Sequence, residues 1–486
     1  MFPHKRLKFV AVAALLLIVA AACGQKPGVN QLAGNTLGAG FVPPEGTELD
    51  AEGNLINSDT GEVLATAEEL AEGPTLAGGD TGDTTGITGD GGTNDGATGN
   101  DPSDPGDDPG EDPATSGGGT TTGVSDSTIK IGIHAPITGA APVPSASFQR
   151  GKDLYWNWLK SNNKSIHGRT VQTVFRNDNY NPSQAVSGCR EMVEKEKVFL
   201  LVGIAGTDQI QACARYAASV GVPYISAGVT EIGLEGLRNY FAVWMSYKQQ
   251  GPLLADMLVD KLGAKSEKNG MIRFATPLFQ DAHDAFIAGM KQKGAPVQYD
   301  RTVPKTAGQS EAATIATELN QQGIENVYVL TSPTFFLYLA NAAAGQGYRP
   351  QWTGVGLSMA IDTVASVGCK NSNSIANARF LNPFPAYVNS NQFDPDFRTA
   401  GGNDDIQFGL WGVSKVLGGM FENAGKNLSR EGLILANEKL RNMKTGVYPP
   451  VSFTASDHFG GSQMHLNRAD CPNGRWVTEQ AFVSDF

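Results

Sequence analysis

From Thr128 onward, short apolar runs alternate with stretches of helical periodicity, and this alternation limits the folds open to the chain. "TIKIGIHAP" reads as a strand. It is followed by "ASFQRGKDLYWNWLKS", where Phe148, Gly151, Leu154, Tyr155, Trp158 and Leu159 recur at helical spacing. "RTVQTVFRND" predicts a strand, and "NPSQAVSGCREMVEKE" a helix opened by Asn181 and Pro182. "VFLLVGIAG" predicts a buried strand, "TDQIQACARYAASVG" a helix and "VPYISAG" a strand. Repeated βα units with short loops imply a parallel sheet with helices on both faces.

A second series of the same kind follows "NYFAVWMSYKQQG". Its helices are "GPLLADMLVDKLGA", "DAHDAFIAGMKQKG", "EAATIATELNQQG" and "FFLYLANAAAGQG". Between them lie the strands "GMIRFATP", "VQYDRTVP", "NVYVLTSP" and "QWTGVGL". Two such series predict two lobes of one architecture. After Arg379 come the helical "DIQFGLWGVSKVLGGMFENAG" and "SREGLILANEKLRNM", then "PPVSFTASDHFGG" and a tail.

The first 124 residues are of another kind. Lys5, Arg6 and Lys8 precede the apolar run "FVAVAALLLIVAAA", which is shorter than the ~20 residues of a membrane-spanning helix. Ala20, Ala21 and Ala22 lead into Cys23, and the arrangement resembles the lipobox of bacterial lipoproteins, with Ala20 where that motif usually has Leu, Val or Ile. The resemblance implies a signal over residues 1–22, cleavage before Cys23, a diacylglycerol thioether on its sulfur and a membrane attachment through the N-terminal lipid. An ordinary cleaved signal with an incidental cysteine is the alternative. Residues 23–124 read as an acidic tether rich in Gly, Thr and Asp, with nineteen Asp and Glu against Lys26. Such a composition buries too little apolar surface to offset its ordering entropy and predicts disorder. Residues 125–486 hold thirty acidic and thirty-three basic side chains, so the folded part is nearly neutral and gives no argument for nucleic-acid binding.

Three segments, "IKIGIHAPITGAAPVPSASFQRGKDLYWNWL", "VFLLVGIAGTDQIQACARYAASVGVPYISAGVT" and "NVYVLTSPTFFLYLANAAAGQGYRPQWTG", carry a specific likeness in their order and spacing. Together they resemble the branched-chain amino-acid binding proteins, the type I periplasmic-binding receptors of ABC importers. The resemblance spans roughly residues 126–470. It implies an α/β fold of two doubly wound parallel-sheet lobes joined by a three-segment hinge, with a ligand in the cleft. The first lobe would comprise 125–245 with 381–450, and the second 246–380 with 451–486. It further implies a monomer outside the cytoplasmic membrane that hands a small carboxylate-bearing ligand, an amino acid or a related compound, to a permease and ATPase. A sensor of the same fold without transport is the alternative, since fold alone does not fix function.

The resemblance also assigns residues. Thr207 would give a hydroxyl and an amide to the ligand carboxylate, although a plain N-cap explains it equally. Gly228 and Thr230, in "SAGVTEIG", would place a carbonyl and a hydroxyl against the ligand's ammonium and carboxylate; a tight turn capped by Thr230 is the alternative. Phe279, with Leu278 competing, would supply an aromatic that closes over the ligand. The acid that pairs with the ammonium in such receptors falls on Gly356, a lobe-two aromatic on Ser332 and a first-loop Tyr on Pro144. Either another acid such as Asp281 substitutes, or the ligand is no simple α-amino acid, because a buried ammonium without a partner is costly.

Four cysteines remain beyond Cys23. The strand order implied by the resemblance makes the helices of Cys189 and Cys213 neighbours on one sheet face, which pairs Cys189–Cys213 and leaves Cys369–Cys471. Four free thiols are the alternative. No GxSxG, HExxH, P-loop or GxGxxG motif is present, and the six histidines show no metal-ligand spacing. No enzyme, metal or cofactor is expected.

Overall fold

A computed structural model describes residues 47–49, 55–57, 63–65 and 120–486, the last range without 140, 229–233, 266, 356–359 and 371. Strands β1 (Thr47–Leu49), β2 (Leu55–Asn57) and β3 (Val63–Ala65) form an antiparallel sheet in the order β1-β2-β3. They fall inside the segment read as an acidic tether. This sheet belongs to the unit Met1–Asp108, and everything below belongs to the unit Pro109–Phe486.

The first lobe is built on β4 (Thr128–Ala135), β5 (Thr170–Asn177), β6 (Leu200–Gly203), β7 (Tyr224–Ser226) and β8 (Tyr240–Ala242). They run parallel in the order β5-β4-β6-β7-β8. Side-chain alternation along β4 sends Ile129, Ile131 and Ile133 into one core layer. Helix α1 (Ser145–Ser161) covers that face, contributing Phe148, Leu154 and Trp156. On the other face lie α2 (Pro182–Glu194), capped by Asn181 with Pro182 at its first position, and α3 (Thr207–Ser219). Cys189, Met192, Ile210, Cys213 and Tyr224 fill that second layer. There the sulfurs of Cys189 and Cys213 lie at disulfide distance, with α-carbons 6.1 Å apart.

The second lobe has a seven-stranded sheet. Its strands are β9 (Asn269–Phe274), β10 (Val297–Val303), β11 (Asn326–Leu330), β12 (Gln351–Val355), β13 (Arg379–Asn382), β14 (Met464–Asp470) and β15 (Arg475–Val483), in the order β10-β9-β11-β12-β13-β14-β15. The first five are parallel; β14 and β15 are antiparallel. The helices are α4 (Tyr247–Asp256), α5 (Gln280–Gln292), α6 (Gln309–Gln321), α7 (Pro333–Gly345) and α8 (Asp362–Lys370). Helix α4 starts four residues before the "GPLL" run, because Ser246 and Gln249 form a reciprocal capping box that holds its first turn. The segment read as a tail is the β14–β15 hairpin, turned through Pro472, Asn473 and Gly474, the last at φ +61°. The turn brings Cys471 to disulfide distance from Cys369, with α-carbons 4.8 Å apart.

The chain crosses between lobes three times: between Ala242 and Tyr247, between Asn382 and Asp405, and between Asn437 and Met464. Helices α9 (Asp405–Ala424) and α10 (Arg430–Asn437) return to the first lobe, where Phe408, Trp411 and Leu433 join the layer under α1. The Arg430 guanidinium donates to the carbonyls of Phe199 and Val198 at 2.9 and 2.8 Å, fixing α10 to the start of β6. On the third crossing Val451 and Phe453 still pack in the first-lobe core, and Phe459 lies parallel beside Ala242 at the edge of β8.

Candidate functional site

The carboxyl ends of both parallel sheets meet at one cavity of about 320 Å³. Open parallel sheets offer their ligand sites at this end, where loops leave the strands and helices begin. From the first lobe come Pro144 after β4, Tyr180 after β5, the Ile204–Thr207 loop after β6 and Ala227 after β7. From the second come Phe279 after β9, the Leu330–Thr334 turn after β11 with Leu337, and Val355, Ile361 and Val364 around β12. Hinge residues Tyr247, Phe384, Val413 and Tyr448 close the remaining side.

Thr207 is the first residue of α3, 5% exposed, and its hydroxyl has no hydrogen-bond partner among the described residues. The N-cap is Gly206, not Thr207, so the hydroxyl is not used to cap its own helix. The first N–H groups of a helix have no intrahelical acceptor, and the helix dipole places partial positive charge there. Ala205 and Gly206 shape this turn at φ +62° and +81°. A Cβ on Gly206 would sit 2.4 Å from Gln209 Oε1. The positive φ of Ala205 is strain of the kind that concentrates at functional turns, on the order of 1 kcal/mol or more.

Phe279 lines the same cavity, is 8% exposed and meets Tyr247 edge-on, with centroids 5.7 Å apart. Leu278 does not line it. Gly228 lies behind the wall: a Cβ there would come within 2.6 Å of Ala205 N and 2.4 Å of Ile210 Cδ1. Its lack of a side chain lets β7 approach the Ala205 turn, and it does not line the cavity itself. Thr230, Gly356 and Cys23 lie outside the described residues. Thr207 and Phe279 are therefore brought together across the cleft, whereas Gly228 supports the first from behind.

Asp281 does not line the cavity. It stands in the first turn of α5, where burial and then Glu235 raise its carboxyl above the usual carboxylate range, partly opposed by Lys248. Ser332 and Pro144 do line the cavity, Ser332 accepting the Phe335 N–H at 3.2 Å as the N-cap of α7.

Tyr247, Phe384, Val413 and Tyr448 were not singled out by the sequence reading. They come from hinge segments and from α9, and only the tertiary crossing points them at one space. The Tyr448 hydroxyl donates to the Gly409 carbonyl at 3.0 Å, so its ring face, not its oxygen, is free for the cavity.

A second polar cluster lies beneath the site. His134 Nδ1 is 2.8 Å from Asp178 Oδ2, and its Nε2 is 2.7 Å from the Tyr224 hydroxyl. The acid–imidazole–hydroxyl order is that of a nucleophile relay, but His134 and Tyr224 are 0% exposed, so no substrate reaches them. Burial holds the Tyr224 hydroxyl protonated far above the usual phenol range. The cluster ties β4, β7 and the loop after β5 together below the cavity floor.

Comparison with known proteins places this architecture. A profile of the periplasmic binding protein family matches residues 128–475. An amino acid binding protein of Pseudomonas aeruginosa is 27% identical over 212 residues, covering 41% of this chain and 53% of the relative. The chain thus spans about half the length of that curated relative. Among solved structures, a fatty acid ABC transporter substrate-binding protein from Thermomonospora curvata shares the fold with a TM-score of 0.64 at 20% identity, covering 75% of this chain and 94% of its own. A branched-chain amino acid ABC transporter protein from Thermus thermophilus with bound valine gives 0.62 at 15%, covering 74% and 98%. A solute-binding protein from R. palustris in complex with benzoate gives 0.60 at 18%, covering 73% and 96%. With two α/β lobes, three crossings and a cavity at the strand ends, the chain belongs to the periplasmic binding protein family, whose members work outside the cytoplasmic membrane.

Proposed function

We propose that the protein is an extracytoplasmic solute-binding lipoprotein that encloses a small carboxylate-bearing molecule between its lobes and delivers it to an ABC permease and ATPase. The observation that carries the reading is the cavity itself, walled by the carboxyl ends of two separate sheets and roofed by the crossings between them. A site divided between lobes is closed by hinge motion, and a ligand touching both lobes favours the closed form. In this reading the ligand carboxylate lies at the N-terminus of α3, within reach of the Thr207 hydroxyl, and Phe279 covers it from the second lobe. Similar proteins bound to valine or benzoate, and one from a fatty acid ABC transporter, support capture without turnover.

Cys23 anchors the protein through its lipid, and the acidic segment after it holds the folded lobes away from the membrane. Two or more acyl chains give a firm anchor where one gives only marginal binding. The experiment is a thermal-shift screen of amino acids and organic acids on the full chain, followed by small-angle scattering with the best binder. The expected result is a saturable rise in Tm with a smaller radius of gyration. A library without a single binder, or binding without compaction, overturns the reading. Cys23→Ala is expected to move the protein from the membrane fraction to the soluble one.

A further inference from the structure

The cavity is lined by no Asp, Glu, Lys or Arg among the described residues. Its polar groups are hydroxyls of Thr, Ser and Tyr together with backbone; the rest of the wall is apolar, with Leu337, Val355, Phe384 and Val413 facing one another across it. Of the acids within two residues of lining residues, Asp281 and Asp404 do not line the cavity themselves, Asp404 capping α9 through the Gln407 N–H, and four more are engaged elsewhere. Asp208, next to Thr207, pairs with Lys305. Asp178, two residues before Tyr180, accepts from the Tyr180 N–H and pairs with His134. Asp362, between Ile361 and Thr363, accepts the Trp476 N–H at 3.0 Å. Asp405, before Ile406, accepts the N–H groups of Asp362 and Ile406 at 2.7 and 3.0 Å.

A ligand ammonium entering this space would lose its hydration and meet no lining carboxylate among the described residues. A carboxylate is treated differently. The start of α3 presents N–H groups, the positive end of a helix dipole and the hydroxyl of Thr207, a residue 5% exposed whose hydroxyl has no partner among the described residues. We infer that the ligand is an apolar monocarboxylate without an amino group, its acid end at Thr207 and its aliphatic or aromatic body between the two lobes. This rests on the reading of the inter-lobe cavity as the ligand site. At roughly 30 Å³ per water-sized group, the space suits on the order of ten non-hydrogen atoms.

The test uses matched pairs that differ only in the amine: leucine against 4-methylpentanoate, and phenylalanine against 3-phenylpropanoate. Each is titrated calorimetrically into the full chain and into two variants that fill the cavity, Leu337→Trp and Thr334→Trp. Thr334 is exposed, so its variant leaves the core intact. The expected result is that at least one amine-free acid binds and its amino-acid partner binds roughly tenfold weaker or worse. Both variants should weaken the acid. An amino acid that binds as well as its amine-free partner, or amine-free acids that all fail to bind, overturns the ligand class. Tight binding of an acid that both variants leave unchanged overturns instead the cavity as the site.

Discussion

Asp405 Oδ2 accepts the backbone N–H of Asp362 at 2.7 Å, joining the first turn of a helix packed in the first lobe to the first turn of a helix in the second. Ile406 and Ile361, their neighbours, both line the cavity. The bond is thus an inter-lobe latch at the rim of the ligand space. Burial, then the charges of Asp362 and Asp404, push the Asp405 carboxyl up to about 7 against the two N–H bonds it accepts. Asp362 is raised in the same direction, chiefly by burial, with the Trp476 N–H and Arg475 opposing.

A carboxyl raised in the folded state stabilises the fold fully below its unfolded value, near 4, and that contribution is lost as pH rises toward 7. Ionising this buried carboxyl should therefore cost stability as pH rises between about 4 and 7, by on the order of a few kcal/mol, despite the two N–H bonds it accepts. Asp405→Asn keeps an acceptor for the Asp362 N–H and should flatten that slope. Urea unfolding at stepped pH checks it; an unchanged slope in the variant would remove Asp405 from the account.

His465 gives the opposite window. Its Nε2 meets the Val447 carbonyl at 3.1 Å, its Nδ1 has no partner, and burial pushes the imidazole down to about 3. A base lowered in the folded state stabilises above its unfolded value near 6.5, and stability is lost as pH falls from there toward 3. His465→Phe, packed against Phe393 and Phe482, should lose the acid-side decline while giving up the Val447 bond. Its unfolding midpoint should vary less than wild type between pH 6.5 and 4.

Thr207→Ala should weaken an identified carboxylate ligand by about 1–3 kcal/mol, the loss expected when a charged oxygen is left one donor short. Thr207→Ser should retain most of the affinity. Calorimetry showing equal affinity for all three proteins would place the carboxylate elsewhere.

Ala205→Gly should raise stability by roughly 0.5–1 kcal/mol, since glycine adopts φ +62° without the Cβ clash, less its extra unfolded-state entropy. Thermal unfolding checks the sign. A lower Tm would mean that the Ala205 methyl contributes more by packing than its backbone costs.

Non-reducing peptide mapping should recover Cys189 with Cys213 and Cys369 with Cys471, 24 and 102 residues apart in the chain. Loss of either link should destabilise by about 2–4 kcal/mol. A crossed pair such as Cys189 with Cys369 would be incompatible with the two sheets as they stand.

Much of the fold is legible because local pattern and tertiary role agree. The isoleucines of β4 alternate, and Asn181-Pro182 opens α2 by mechanisms that operate within one turn. The β14–β15 hairpin is less legible. Its apolar positions are broken by Asn467, Arg468 and Glu479, although Pro472-Asn473-Gly474 is a turn signal visible without the structure. Within the site, Thr207 and Phe279 come from the resemblance, and both line the cavity from loops that follow strands. Phe384, Val413 and Tyr448 are not legible, since a hinge residue carries no periodic mark of the cavity it faces. The resemblance puts the Gly228 carbonyl against the ligand, and the structure adds that the missing side chain admits the Ala205 turn.

The route of the chain through the two lobes also bears on how the protein is made. Strands β4 to β8 are made first, yet α9 and α10, which pack against one face of their sheet, follow only after β9 to β13. The second sheet in turn waits for β14 and β15 at the end of the chain. The layer of α2 and α3 is built from residues 189–242 and closes early, whereas the layer under α1 stays incomplete until α9 and α10 supply Phe408, Trp411 and Leu433. A product cut short before α9 therefore leaves the layer of Ile129, Ile131 and Ile133 covered by α1 alone, with its remaining apolar surface open to aggregation.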